Sequence, residues 1–244
     1  MDHIQIREDQ LVSLNFIGHS AFTIQNGDQL IAIDPFITGN PSARIDAESI
    51  SPDFIFLTHA HNDHVGDTVP LSQRTGAPVI STFELGELLQ SMGANAVPMN
   101  HGGTYRFNGG SVKLVPAWHT SSWTAEDGSV LAPGVPAGLV VKVGEGQGRK
   151  TIYFAGDTCL FMDMQLIGDE ELDVAVLPIG DHFTMGPADA IKAVKYLRPK
   201  HVIPCHCNTF PPIEQDLDAF KLKIAEQTQA KCVVLAPGES WELE

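Results

Sequence analysis

Basic residues are scarce in this chain: 15 Lys and Arg stand against 30 Asp and Glu, a formal charge of −15 over 244 residues. That excess repels phosphate backbones and anionic bilayers, so nucleic acid and membrane surfaces drop out as general partners. A small anionic substrate is not excluded, because any divalent cations in a pocket set the field inside it. The four cysteines, at 159, 205, 207 and 232, are too few and too unevenly spaced for a disulfide framework. No run of about 18 apolar residues occurs, which excludes an ordinary membrane-spanning helix. The opening MDHIQIREDQ lacks the basic end and apolar centre of a secretion signal. A cytoplasmic, reduced protein is therefore expected. Fixed-period repeats and low-complexity tracts are missing too, which argues against a solenoid or a disordered tail.

What is present reads as one folded domain spanning residues 1–244. Hydrophobic residues make up 43% and charged residues 18%, a globular balance. A chain of this length buries roughly 70 to 75% of its unfolded surface, so its core needs neither disulfide nor metal simply to fold.

Short apolar, β-branched runs read as strands, several buried on both faces: Leu11–Ile17, Ala21–Gln25, Leu30–Ile33, Phe54–Leu57, Val112–Val115, Leu139–Val143, Thr151–Phe154, Val174–Leu177 and His201–Pro204. Helical spacing marks Phe83–Met92, Pro187–Leu197 and Ile213–Gln227, with Pro187 suited to a first turn. Consecutive strands early and strand–helix alternation later predict two sheets between helices. The Gly- and Pro-rich stretch 132–138 is too short for a linker and reads as an active-site loop.

The densest chemical signal is Thr58-His59-Ala60-His61-Asn62-Asp63-His64, directly after the strand Phe54–Leu57. In extended backbone His59 and His61 project to one side and can share a cation. The turn that follows can aim Asp63 and His64 at a second. A surface loop that is merely histidine-rich is the bland alternative, and three histidines within six residues are hard to place that way. Later strands repeat the placement: His119, Asp157, His182 and His206 each sit just past an apolar run. Strand ends hold side chains more tightly than free loops, so such residues can converge on one edge.

In order and spacing, the H-x-H-x-D-H run, His119, Gly156-Asp157-Thr158 and His206 resemble the metallo-β-lactamase superfamily over nearly the whole chain. Gly18-His19-Ser20, Ile33-Asp34-Pro35-Phe36, residues 178–186 and residues 206–211 further resemble metal-dependent hydrolases related to L-ascorbate-6-phosphate lactonase. The resemblance implies an α/β fold, a four-layer αββα sandwich with metals at one edge of the paired sheets. It implies that His59, His61 and His119 hold one metal, that Asp63, His64 and His206 hold a second, and that Asp157 bridges them. Two divalent metal ions are thus expected, zinc or manganese ahead of iron or nickel. Relatives often assemble, which leaves a homo-oligomer open.

Two such ions bring a shared water from a pKa of about 15.7 toward about 7, supplying hydroxide for attack on a carbonyl carbon or phosphorus. The expected activity is hydrolysis of a small ester, lactone or phosphoester. The lactone of a sugar-acid phosphate is the most concrete version that the resemblance implies. An RNA phosphodiesterase is the alternative, disfavoured by the acidic charge and the lack of a basic arm. An iron-dependent oxidoreductase of the same fold is another. Its oxygen-reducing members usually carry an acidic residue where His61 stands, together with a flavin domain.

Several residues keep two readings. Asp63 is a metal ligand or a proton shuttle. His182 contacts substrate or protonates the leaving group, or else makes a structural hydrogen bond. Asp34 orients a ligating histidine or caps a turn. His19 lines the pocket or closes a turn and is not counted as a ligand, and His101 competes with His119 for the third-histidine role. His3 and His201 are expected to be exposed or structural. If residues 205–207 are extended, the thiols of Cys205 and Cys207 point away from the face used by His206 and pack instead. Cys159 has no basic neighbour to make it a nucleophile.

Overall fold

Alternate residues of the long strands face different cores, and this period of two stacks the molecule into layers. The computed structural model describes residues 11–243; His3 and the segment read as lacking a secretion signal lie outside the described residues. In chain order the strands are β1 Val12–Gly18, β2 Ala21–Asn26, β3 Gln29–Ile33, β4 Phe54–Phe56, β5 Val79–Thr82, β6 Ala96–Met99, β7 Thr104–Phe107 and β8 Gly110–Pro116. They continue as β9 Trp123–Thr124, β10 Val130–Leu131, β11 Ala137–Val143, β12 Lys150–Phe154, β13 Val174–Pro178, β14 His201–Cys205, β15 Lys231–Cys232 and β16 Ser240–Leu243. Helices α1 Asn62–Val65, α2 Thr68–Thr75, α3 Phe83–Ser91, α4 Met164–Gly168, α5 Pro187–Leu197 and α6 Leu217–Gln227 connect them.

Two seven-stranded sheets result, ordered β16-β1-β2-β3-β4-β5-β6 and β15-β14-β13-β12-β11-β8-β7, with β9-β10 as a separate ribbon. In each sheet an antiparallel half gives way to a parallel half: β3 to β6 in the first, β12 to β15 in the second. Parallel strands all end on the same side, so each sheet offers a row of C-terminal strand ends along one edge.

Leu14, Phe22, Ile33 and Phe56 of the first sheet share one buried cluster with Leu114, Leu139, Ile152 and Ile203 of the second. The residues between them face outward. Ala32, Ile55 and Val79 pack with Leu71, Leu85 and Leu89 of α2 and α3. Val140, Tyr153, Ala175 and Val202 pack with Met164, Ile191, Val194 and Phe220 of α4, α5 and α6. Strands serving two cores must be apolar on both faces, which is why they read as continuous apolar runs. The architecture is an αββα sandwich in a single domain, as expected.

Some local expectations change. The helix expected from Ile213 starts at Leu217: Pro211–Ile213 is a separate 3-10 turn, and Asp216 caps α6 by accepting from the Ala219 amide at 2.9 Å. The stretch 132–138 is not one loop, since Ala137 and Gly138 open β11. Strands β5, β6, β7, β9, β10, β15 and β16 and helices α2 and α4 fall outside the expected runs. Among the described residues no helix is long and apolar enough to cross a membrane.

Leu139 is fully buried between the sheets, whereas Leu222 on α6 is 61% exposed. In denaturant titrations of metal-stripped protein, Leu139→Ala is expected to cost roughly 2–5 kcal/mol and Leu222→Ala under about 0.5 kcal/mol.

Candidate metal centre

The C-terminal strand ends of both sheets supply the polar residues of one edge. Thr58, His59 and His61 follow β4, and the single turn of α1 then presents Asp63 and His64. From the second sheet come His119 beyond β8, Asp157 beyond β12 and His206 beyond β14. Asp34 ends β3, and His19 forms the turn between β1 and β2.

Close backbone approach makes this convergence feasible. Gly66, at φ +41°, ends α1 against residues 35 and 36; a Cβ there would lie 2.5 Å from Phe36 Cα and from the Pro35 carbonyl oxygen. Gly156, at φ +60°, rests on Thr58, where a Cβ would come within 2.7 Å of the threonine Cβ. Two backbone hydrogen bonds stitch the sheets together at the same place: His206 N–H donates to the His19 carbonyl and Ala137 N–H to the Thr58 carbonyl, each at 2.8 Å.

The side chains form two adjoining groups. His59, His61, His119 and Asp157 offer donor atoms all within 4.8 Å of one another, and so do His19, Asp63, His64 and His206. Asp157 links them: Oδ1 lies 3.3 Å from His64 Nε2, and Oδ2 lies 3.1 Å from His206 Nε2 and 3.4 Å from His119 Nε2. His59 Nε2 faces His61 Nδ1 at 3.0 Å. The seven residues expected at the metals are thus brought together, with His19 beside them.

Asp34 dictates which ring nitrogens carry protons. Its Oδ1 accepts from Thr58 N–H at 2.8 Å, and its Oδ2 lies 2.6 Å from Thr58 Oγ1 and 2.8 Å from His64 Nδ1. A carboxylate only accepts, so His64 Nδ1 and Thr58 Oγ1 both donate to it. Having spent its one proton, the Thr58 hydroxyl accepts from His59 Nδ1 at 3.0 Å. The hydrogen bonds to Nδ1 therefore leave Nε2 of His59 and His64 aimed into the site. His64 Nε2 and Asp157 Oδ1 are buried without a hydrogen-bond partner. Burying such atoms unpaired costs several kcal/mol each, a penalty that a cation between them removes. Converging imidazole nitrogens and carboxylate oxygens suit divalent transition metals, so the residues fit such ions.

The electrostatics agree. Burial, reinforced by His64, pushes His59 well below the usual imidazole range, and burial also lowers His61, His119 and His19. Burial works against a charge on His64 too, but Asp157 and then Asp34 outweigh it and hold that ring well above its ordinary value. Asp157 stays well below the carboxylate range despite burial, because His64 and His206 favour its anion. Asp63 overcomes burial chiefly through its hydrogen bond to His19. The carboxylates thus demand positive charge at this point, as a proton on His64 or as a cation.

Other expected residues lie apart. His182 is exposed and outside both groups; its ring stands edge-on to Phe183 at 4.5 Å. His101 Nε2 lies 2.9 Å from the Pro136 carbonyl oxygen, and His201 packs on Trp241. Residues 205–207 are not extended as expected, since His206 has φ +49°. Cys205 still packs in the inter-sheet core and Cys207 against the helix-side core, where burial pushes its thiol up to about 12. Cys159 is exposed. Thr58 and His19 join the expected residues at the site, Thr58 through His59 Nδ1 and His19 through Asp63 Oδ2. The signal for His19 was its place just past the first apolar strand, the same placement shared by the other site residues.

Known proteins share this arrangement of elements. A family model described as a beta-lactamase superfamily domain matches residues 13–206. A UPF0173 metal-dependent hydrolase of Thermus thermophilus is 51% identical over 234 residues, covering 96% of this chain and 100% of its own length. A namesake from Methanopyrus kandleri is 44% identical over 232 residues, covering 94% of this chain and 99% of its own. The solved structure of Igni18, a metallo hydrolase from the archaeon Ignicoccus hospitalis, matches with a TM-score of 0.86 at 38% identity, covering 96% of this chain and 99% of that one.

Asp34 has φ +43°, a conformation asparagine tolerates, so Asp34→Asn changes the chemistry with little backbone cost. The amide has one acceptor oxygen where the carboxylate has two, and it sets a donor against His64 Nδ1 or Thr58. Metal affinity, measured by chelator competition, is expected to fall roughly 10- to 100-fold.

Proposed function

We propose that this chain, which belongs to the beta-lactamase superfamily and within it to the UPF0173 metal-dependent hydrolases, uses two divalent cations to hydrolyse a small ester, lactone or phosphoester. The observation that carries this reading is a pair of donor groups sharing the buried carboxylate of Asp157. His59, His61 and His119 would hold one ion and Asp63, His64 and His206 the other, with Asp157 between them. Zinc or manganese suits these donors, and iron or nickel finds the same ligand types acceptable. Bound there, the ions supply Lewis-acid polarisation of the scissile bond and a water of lowered pKa.

The protein's own part is orientation and proton handling. Asp34 and Thr58 lock His64 and His59 in the ligating tautomer. Asp63 has a side chain 36% exposed, while those of His64, Asp157 and His206 are at most 3% exposed. If Asp63 serves as the proton shuttle and not as a ligand, its exposed carboxylate takes the proton of the attacking water and returns it to the leaving group. His19 Nε2 lies 3.1 Å from Asp63 Oδ2, and its Nδ1 lies 3.0 Å from Thr209 Oγ1. When the ring proton sits on Nε2, His19 donates to Asp63 and positions the carboxylate; when it sits on Nδ1, facing Thr209, Nε2 offers a lone pair to the second donor group. The free thiols agree with a reducing, cytoplasmic setting.

Metal-reconstituted protein screened over esters, lactones and phosphodiesters is expected to turn over at least one class, with activity abolished by chelator and by His59→Ala. Asp63→Asn is expected to lower kcat by about 100-fold or more, as loss of a proton carrier does. Metal content near two per chain in that variant separates proton transfer from ligation. Redox-active iron without hydrolytic turnover of any class would move the protein to the oxidoreductase reading.

A further inference from the structure

Basic side chains are sparse in the connections beside the metal centre. Of the connections beside the centre, residues 58–67, 117–136, 155–163, 179–186 and 206–216 contain no Lys or Arg, and residues 34–53, which begin at Asp34, contain Arg44 alone. They do carry Glu126, Asp127, Asp163, Asp181, Glu214 and Asp216. Basic side chains gather elsewhere: Arg106, Lys113, Lys142 and Arg149 line a cleft of about 640 Å³ together with Glu170. That cleft borders the turns at residues 107–110 and 144–149, remote along the strands from His119 and Asp157. Two of its cations are also spent on Glu170, which lies 2.7 Å from both Lys113 and Lys142.

The mouth has aromatic rings instead. Trp118, Phe183 and Phe210 are 64%, 56% and 36% exposed, and each is tied to the cluster. Trp118 immediately precedes His119; its N–H donates to Thr158 Oγ1 at 3.0 Å and its carbonyl accepts from Cys159 N–H at 3.1 Å. Phe183 rides on a loop whose Met185 N–H donates to the Thr158 carbonyl at 3.0 Å. The Phe210 ring stands edge-on to His19 at 5.5 Å. Rings held in water at the rim of a polar centre offer apolar contact area at little entropic cost.

Recognition of a phosphate or carboxylate ordinarily draws on Arg, Lys or aligned backbone N–H groups. Apart from Arg44, the connections named above contain neither cation, so an anionic group lying beyond the metals themselves meets little positive charge there. Resting on the hydrolytic reading above, we infer that the substrate is an uncharged ester or lactone bearing an aromatic or branched alkyl group, held by Trp118, Phe183 and Phe210. Sugar-acid phosphates and RNA fall outside that class. Trp118 and Phe183 determine specificity, and the acidic rim repels anionic competitors.

Matched substrates test this on the metal-loaded full chain: phenyl esters and phenyl-substituted lactones beside isosteric carboxylated or phosphorylated partners. The neutral member is expected to have a kcat/KM about 100-fold higher. Trp118→Ala and Phe183→Ala are each expected to raise KM for the phenyl ester about tenfold, and the preference over a methyl ester should shrink by the same factor. A readout independent of turnover uses the metal-loaded full chain titrated with benzyl alcohol, which is not hydrolysed. A saturable change in tryptophan emission, absent from the same protein carrying Trp118→Phe, supports the collar. Equal or better turnover of the charged partners overturns the inference while leaving hydrolysis intact. Failure to turn over any substrate with two metals bound removes the hydrolytic reading, and the fluorescence titration then decides the collar alone. If Trp118→Ala leaves KM unchanged and dissociates an oligomer in light scattering, the rings are a contact between copies and the inference is wrong.

Discussion

The carboxylate of Asp157 is where the two sheets meet chemically. Its side chain is 3% exposed, and imidazoles from both sheets surround it: His59 at 4.0 Å and His64 at 3.3 Å from one, His119 at 3.4 Å and His206 at 3.1 Å from the other. A buried anion is stable only when opposite charge or donors reach it from several directions. No single strand end could supply them. The inter-sheet hydrogen bonds from Ala137 to Thr58 and from His206 to His19 hold the sheet edges at the spacing that makes this meeting possible.

Strain and order are concentrated at the same edge. His19, Asp34 and His206 all adopt positive φ, at +59°, +43° and +49°, which side chains other than Gly adopt at a cost. The sandwich tolerates that cost because three apolar clusters clamp the strands that carry them. Rigid strand ends, together with the Asp34 and Thr58 hydrogen bonds, leave the ligating nitrogens little freedom.

A fold of this kind hosts many activities, and the catalytic edge alone says little about substrate. The mouth says more. Acidic residues and exposed aromatic rings surround the centre, while Arg106, Lys113, Lys142 and Arg149 collect around a separate cleft. This uneven placement of charge is invisible in a net charge of −15. It narrows what can approach an otherwise general hydrolytic centre.

Local pattern sufficed for the central strands, because a strand packed on both faces must be apolar throughout, and for the residues just beyond them, because polar groups at such ends need a purpose. That placement pointed to His182 as readily as to His119, Asp157 and His206; the resemblance implied the set His59, His61, Asp63, His64, His119, Asp157 and His206, which the structure gathers at one edge while leaving His182 exposed. Local pattern failed where partners are distant or where backbone departs from the regular. The pairing of Val12 with Leu243 joins opposite ends of the chain, and β5 and β6 are four-residue strands too short to show a period. The left-handed backbone of His206 undid the extended geometry assumed for its cysteine neighbours. Proton placement on His59 and His64, the contact of His19 with Asp63 and the exposure of His182 depend on which side chains meet across the sheets. Neighbours in the chain say nothing of those encounters; only packing two sheets face to face decides them.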